Sequence, residues 1–257
     1  MENKISVVIN TYNAEKYLRR VLESVKDFDE IVICDMESTD STVRIADEFG
    51  CRIVTFPKGK CNIVEPARDF AIHQARFPWV LVVDADELVT TELKTYLYEE
   101  IKKQNPPAGF LIPRKNFFMG KFMHGKYPNH QLRFFQRDRA TWPPVIHTKV
   151  HIEGKLKKIA GCHHDLALIH LENDSISAMV EKINRYTTQE ISKRAHKKYG
   201  LSSLLWRPFY GFFDMYIKHG GFLDGNLGYL YAKLETMYQL VMLAKIEEAT
   251  KHDENNN

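Results

Sequence analysis

Short apolar runs alternate with helical spacing through the first hundred positions. Ile5-Ser6-Val7-Val8-Ile9, Ile31-Val32-Ile33-Cys34, Arg52-Ile53-Val54-Thr55-Phe56 and Trp79-Val80-Leu81-Val82-Val83 are β-rich runs of the length that buried parallel strands need. Between them, Leu18, Val21, Leu22 and Val25 sit at helical spacing behind Asn13, a capping residue type. Val43, Ile45, Ala46 and Phe49 follow Asp40 and Ser41, both capping types, and Gly50 closes the turn. Residues 66–76 read as helical, and a further helix is predicted from Thr91 to about Gln104, stopped by Pro106-Pro107. Strand and helix in strict alternation predict an α/β fold with a mostly parallel, doubly wound sheet.

Beyond Pro107 the pattern changes. Gly109–Pro113, Gln131–Gln136 and Lys149–Glu153 read as short strands among basic and aromatic loops. From Ser175 the spacing is helical again, with Ile176, Met179, Val180 and Ile183 on one face. A last helix is expected from about Asn226 to Glu248, followed by a disordered tail from His252. The chain therefore divides, as an expectation, into a ligand-binding half (1–107), strands and loops of the same domain (108–174) and a helical C-terminal region (175–257).

Charge sharpens this division. Residues 1–100 hold 12 Lys and Arg against 19 Asp and Glu, whereas residues 111–160 hold 11 against 2. An acidic half followed by a basic one suits a metal-handling part and an anion-facing part. No apolar stretch reaches the roughly 18 residues of a bilayer span, and no apolar run follows a basic start as in a leader peptide. Cys34, Cys51, Cys61 and Cys162 show no CxxC spacing and read as free thiols. A cytoplasmic protein is expected.

Ligands of open α/β sheets bind beyond the carboxyl ends of the strands. Three polar clusters fall there: Thr11-Tyr12-Asn13-Ala14-Glu15, Asp35-Met36-Glu37-Ser38-Thr39-Asp40 and Asp84-Ala85-Asp86-Glu87. Two carboxylates one residue apart at a strand end, Asp84 and Asp86, suit Mg2+ or Mn2+ bridging a diphosphate. The absence of GxxxxGK[ST] and GxGxxG argues against a P-loop NTPase and a dinucleotide enzyme.

The segments SVVINTYNAEKYLRRVLESV, DEIVICDMESTDSTVRIADEFG and WVLVVDADEL resemble family 2 glycosyltransferases with the A-type nucleotide-sugar fold. KYPNHQLRFFQRD, VIHTKVHIEG, LIHLENDSISAMVEKINRYT and GGFLDGNLGYLYA resemble the subgroup typified by lipopolysaccharide-core β-glucosyltransferases. The resemblance implies an inverting transfer from a nucleoside-diphosphate sugar, with uridine diphosphate as the default. It places Thr11, Tyr12, Asn13 and Glu15 around the nucleotide, Asp35 on the base, and Ser38 and Asp40 in the loop beside it. Arg68 falls before the donor pocket, Asp84 on the ribose or metal side, and Asp86 on the metal. Asn129 and Thr148 stand where relatives often carry an acid, and Asn10 and Asp69 are lesser departures.

An inverting transfer needs a base for the acceptor hydroxyl. Glu87, His130, His147 and Asp165 are the titratable candidates, with His147 or His170 also suited to complete the metal shell. Cys162, His163 and His164 fit no standard zinc spacing. Arg114, Lys115, Lys121, Lys126, Arg133, Arg137 and Arg139, interleaved with aromatic residues, suit an anionic glycan or glycolipid acceptor better than nucleic acid. The aromatic segment 204–222 is read as either core or an interfacial membrane patch, the latter supported by Lys193, Arg194, Lys197 and Lys198 before it. The expected protein is a metal-dependent glycosyltransferase on a lipid-linked acceptor at the inner membrane face. The rivals are a sugar nucleotidyltransferase and a silent glycan-binding relative.

Overall fold

In the computed structural model, which describes residues 3–59, 64–142, 150–171, 175–194 and 199–255, strand and helix alternate as the pattern demands. The order is β1 (Ile5–Thr11), α1 (Glu15–Val25), β2 (Glu30–Asp35), α2 (Thr42–Glu48), β3 (Arg52–Thr55), α3 (Glu65–Gln74) and β4 (Trp79–Asp84). β5 (Glu87–Leu88), α4 (Thr91–Ile101), β6 (Gly109–Ile112), β7 (Arg114–Phe118), β8 (Lys121–Phe122) and β9 (Gln131–Gln136) follow. After these come β10 (Ala140–Thr141), β11 (His151–Ile152), β12 (Leu156–Lys158) and β13 (Leu168–His170). The helices α5 (Ile176–Arg194), α6 (Leu201–Phe213) and α7 (Asn226–Asn255) complete the chain.

The main sheet has the order β12-β6-β9-β4-β1-β2-β3. β4, β1, β2 and β3 run parallel, while β9 is antiparallel to both β4 and β6. The central strands β1, β2 and β4 are covered on both faces, which is why they read as mainly apolar runs rather than alternating ones. Val7, Ile9, Leu81 and Val83 pack with Leu18, Leu22, Leu93 and Leu97 on one side. Val8, Val80 and Val82 pack with Ala67, Ala71 and Ile72 of α3 on the other. Burying one such side chain stabilises the fold by about 1.5–3 kcal/mol.

Two expectations are corrected. Of the strand expected over Lys149–Glu153, the described residues form the two-residue His151–Ile152, which pairs with β10. One edge of the main sheet is β12, a Leu-Lys-Lys segment with no strand signature, beside β6. α7 runs through Asn255, into the segment expected to be disordered, with Lys251 and Glu247 paired at 3.7 Å one turn apart.

The chain forms two compact units, one of residues 1–115 and 128–171, the other of residues 116–127 and 172–257. The second is organised by the GGFLDGNLG segment. Gly220 has φ 73°, a left-handed conformation that glycine adopts without penalty. A Cβ on Gly228 would run into the Gly221 carbonyl oxygen and lie 2.8 Å from Asp224 Cβ, so α7 meets the preceding turn at backbone distance. Gly228→Ala is expected to destabilise this unit by about 1–3 kcal/mol or more. An unchanged denaturation midpoint would show that the turn yields. Asp224 accepts from the His124 backbone N–H at 2.7 Å and from His124 Nδ1 at 2.7 Å, which joins 116–127 to the helical region. No helix among the described residues is long and apolar enough to cross a membrane.

Candidate active site

The parallel registers bring the three polar clusters to one rim: Asn10 lies opposite Asp84 and Thr11 opposite Asp35. The loops after β1 and β2 are tied side chain to backbone. Asp35, buried, accepts from Thr11 Oγ1 at 2.9 Å, from Ser38 Oγ at 2.6 Å and from Ser38 N at 2.9 Å. Asn13 N donates to Ser38 Oγ at 2.9 Å, and Thr39 N donates to Asn13 Oδ1 at 2.8 Å.

The helix starts are exchanged between the same loops. Glu15 N donates to Asp40 Oδ2 at 3.1 Å, while Ser41 N donates to Glu15 Oε2 at 2.9 Å. Ala14 N donates to Thr42 Oγ1 at 2.7 Å. Asn13, expected to cap α1, sits instead at φ 48°, and Glu37 at φ 62°. Left-handed backbone at two non-glycine positions is strain held in place by this network. Burial pushes the Asp40 carboxyl up, and the Thr42 hydroxyl and surrounding backbone donors outweigh it, leaving the pKa below its usual range. Tyr12 stands exposed at the rim with Lys58 Nζ 3.3 Å from its ring centroid.

At the end of β4, Arg68 NH2 donates to Asp84 Oδ1 at 2.5 Å and Arg133 NH2 donates to Oδ2. Arg68 comes from α3 and is braced by its guanidinium lying 4.9 Å from the Trp142 ring centroid. Burial opposes ionisation of Asp84, but Arg133, Arg68 and Arg114 outweigh it and hold the carboxyl well below the ordinary range. The same cluster, with Asp84 and Glu87 foremost, raises the Arg133 pKa against its burial.

Glu87, a base candidate by sequence, belongs to the same charged cluster. It is fully buried, accepts from Arg114 NH1 at 3.1 Å and lies 3.5 Å from Arg133 NH2. Its other oxygen accepts from Asp84 N at 3.1 Å. A carboxylate so enclosed braces the turn after β4. Arg133 and Arg114 were legible only as members of a basic stretch.

Asp86 faces differently. It is partly exposed, and its Oδ2 lies 3.4 Å from His170 Nε2. β13 brings His170 there by pairing with β5, and Leu171 N donates to the Asp86 carbonyl at 2.8 Å. One carboxylate and one imidazole fit a divalent cation that keeps waters and takes its remaining ligands from a diphosphate. No three His, Cys, Asp or Glu side chains among the described residues converge as a closed metal cage. Asp84, engaged on both oxygens, is the poorer ligand of the DxD pair.

His130 Nε2 donates to the Ile159 carbonyl at 2.7 Å, which leaves Nδ1 as its basic nitrogen. His147 and Thr148 lie outside the described residues. Asn129 has φ 29° and its Oδ1 accepts from Gln131 at 3.1 Å. Asn is one of the few non-glycine residues that tolerate that backbone. Burial pushes the Cys34 thiol up to about 12, which makes it an inert core residue. A cleft of about 600 Å3 lined by Trp79, Ile101, Pro106 and Arg139 opens at the amino end of β4, away from these groups.

The family model for glycosyl transferase family 2 matches residues 6–175. The chain is 24% identical over 253 residues to the lipopolysaccharide core biosynthesis glycosyltransferase LpsC of Rhizobium meliloti, covering 94% of this chain and 91% of that one. The mannosyltransferase PcManGT of Pyrobaculum calidifontis, solved in complex with GDP-Man and Mn2+, has the same fold at a TM-score of 0.56 and 13% identity, over 95% of this chain and 86% of that one. TarS 1–349 of S. aureus aligns at a TM-score of 0.50 and 16% identity, over 97% and 92%. With a family match across two polar loops, the DxD turn and β13, this chain belongs to glycosyl transferase family 2 and is a glycosyltransferase.

Proposed function

We propose that the protein transfers a hexose, with inversion, from a nucleoside-diphosphate sugar to a lipid-linked cell-surface glycan such as a lipopolysaccharide core, at the cytoplasmic face of the membrane. The observation that carries this reading is the split DxD turn: Asp84 locked between Arg68 and Arg133, Asp86 turned to His170. LpsC, similar along nearly the whole chain, supports the acceptor class. PcManGT, bound to GDP-Man and Mn2+, supports the donor class and the metal.

The roles follow from placement. Asp35, fixed by Thr11 and Ser38, keeps lone-pair capacity for a base N–H, and Tyr12 offers a ring to stack on. Asp40, Asn13 and Glu15 hold the two loops in register. Asp86 and His170 would hold Mg2+ or Mn2+, whose chemistry there is to neutralise the departing diphosphate. An imidazole takes the acceptor proton as the new glycosidic bond forms; His130, through Nδ1, and His147 are the residues we assign to this step.

Uridine diphosphate is the nucleotide to test first. Asp35→Ala should weaken its binding by roughly 1–3 kcal/mol, since a base donor and two loop hydroxyls lose their acceptor. Titration calorimetry reads this directly, and unchanged affinity would move the base elsewhere. For the reaction itself, a panel of nucleotide sugars with Mn2+ is assayed for nucleotide release. Turnover of a uridine diphosphate hexose supports the transferase reading. Tight binding with no turnover of any donor, with or without a lipopolysaccharide-core acceptor, favours a silent glycan-binding relative.

A further inference from the structure

We infer that the cleft at the amino end of β4 is a second ligand site, which binds a small phosphorylated polyol of the hexose phosphate class with its phosphate on Arg139 and Lys155. The cleft holds about 600 Å3, within the roughly 300–1,000 Å3 of small-molecule sites. Trp79, on its wall, and Asp84 are the two ends of β4, so at about 3.3 Å per residue roughly 17 Å separates the cleft from the DxD turn. A hexose phosphate bound here does not reach the departing diphosphate.

The lining carries one sign of charge. Of its 13 residues, Lys102, Lys103, Arg139 and Lys155 are cationic, four others carry amides and none is acidic. Two of the cations have local counter-charges. Lys103 Nζ lies 2.5 Å from Glu100 Oε1, and Lys102 sits at the carbonyl end of α4, which is worth about half a negative charge. The Arg139 and Lys155 side chains have no ion pair or hydrogen bond among the described residues. An anionic ligand supplies the charge that these two lack.

Backbone hydrogen bonds hold the groups in place. Ala108 N donates to the Lys155 carbonyl at 2.8 Å, Gln136 N to the Ala108 carbonyl at 2.9 Å, and Glu153 N to the Arg139 carbonyl at 2.9 Å. Gly154, at φ 126°, lets the turn before β12 close on them: a Cβ there would lie 2.9 Å from Ala108 Cβ and 3.2 Å from Arg139 NH1. Gln136 is the second pointer to a ligand. It is 7% exposed and lines the cleft, and its side-chain amide has no hydrogen bond among the described residues. Amides so buried are ordinarily paired, and a polyol hydroxyl both donates to and accepts from one.

Volume and lining choose among anions. Inorganic phosphate leaves most of the cleft empty, whereas a hexose phosphate brings hydroxyls to the amides and a dianion to Arg139 and Lys155. A nucleotide would need a ring face for its base, and Trp79 is only 1% exposed. The inference is independent of the transferase reading, because the cleft binds whether or not a donor is consumed.

Two tryptophans make the test site-specific. Trp79 lines the cleft, while the Trp142 ring lies 4.9 Å from the Arg68 guanidinium at the donor end of the sheet. The full chain is isotope-labelled at its tryptophan indoles, the signals are assigned with Trp142→Phe and Trp206→Phe, and glucose 6-phosphate, inorganic phosphate and glucose are titrated separately. We expect glucose 6-phosphate to shift the Trp79 signal saturably and leave Trp142 in place, to bind at least about tenfold more tightly than inorganic phosphate, and glucose to give no response. The double variant Arg139→Gln, Lys155→Gln removes two side chains that hold nothing else, so it should fold and bind glucose 6-phosphate at least about tenfold more weakly. No shift of Trp79, a shift of Trp142 alone, equal affinity for inorganic phosphate, or affinity retained in the double variant overturns the proposal. Uridine diphosphate reads the other site: a response at Trp142 without one at Trp79 supports the donor reading, whatever glucose 6-phosphate does in the cleft.

Discussion

Arg133→Met is expected to cost about 3–5 kcal/mol of stability, the size of effect seen when one partner of a buried ion pair is removed. Arg133 is 5% exposed and donates to Asp84 while lying 3.5 Å from Glu87, which is itself fully buried. The substitution leaves two carboxylates to share Arg68 and Arg114. Methionine fills most of the volume, so the loss reads charge rather than a cavity. The pH dependence separates the two further. Asp84 is held below its ordinary pKa, so its contribution is present above about pH 4 and is lost as pH falls toward the folded value. The gap between wild type and variant should therefore narrow in acid. Denaturant titrations at pH 7 and pH 3 measure this, and a gap that is small at pH 7 or constant with pH would reject the cluster as a source of stability.

How much of this was legible in sequence follows from the range of the interactions involved. β1, β2 and β4 were readable because a buried parallel strand needs an apolar run, and VVI, IVIC and VLVV supply one locally. The rim clusters were readable because a strand end fixes where the next polar residue falls. What could not be read is what distant segments do to one another. Arg133 reaches Asp84 across 49 positions, and Arg114 reaches Glu87 across 27. Nothing near Glu87 in the chain signals that two arginines enclose it. The same holds for Asn13, a capping residue by type whose place at the start of α1 is taken by Asp40 and Thr42 from another loop. β12 was invisible because Leu-Lys-Lys has no strand pattern of its own and pairs only with β6. His124 and Asp224, 100 positions apart, join two segments that sequence spacing keeps separate. The aromatic segment that holds α6 was ambiguous for the converse reason: composition alone does not say which apolar face has a partner, and no residue of α6 is buried.

Asp86→Ala should lower turnover by on the order of 10²-fold or more while leaving the fold in place, because it removes charge stabilisation realised at the departing diphosphate. The structural cost is small for a stated reason. Asp86 is partly exposed, its side chain approaches His170 at 3.4 Å, and the contact that fixes β13 here, Leu171 N to the Asp86 carbonyl at 2.8 Å, belongs to the backbone and survives. Asp84→Ala is the informative contrast. It frees Arg68 and Arg133 from their shared carboxylate, so stability should fall together with activity. The two variants thus divide the DxD turn into a ligand and a brace. Calorimetric titration with Mn2+ in the presence of uridine diphosphate gives a second readout, with affinity lost in Asp86→Ala and weakened in His170→Ala. Near-normal turnover in Asp86→Ala, or full activity in excess EDTA, would remove the metal from this reaction. Equal stability loss in the Asp84 and Asp86 variants would remove the division of roles while sparing the family assignment, which rests on residues 6–175 as a whole.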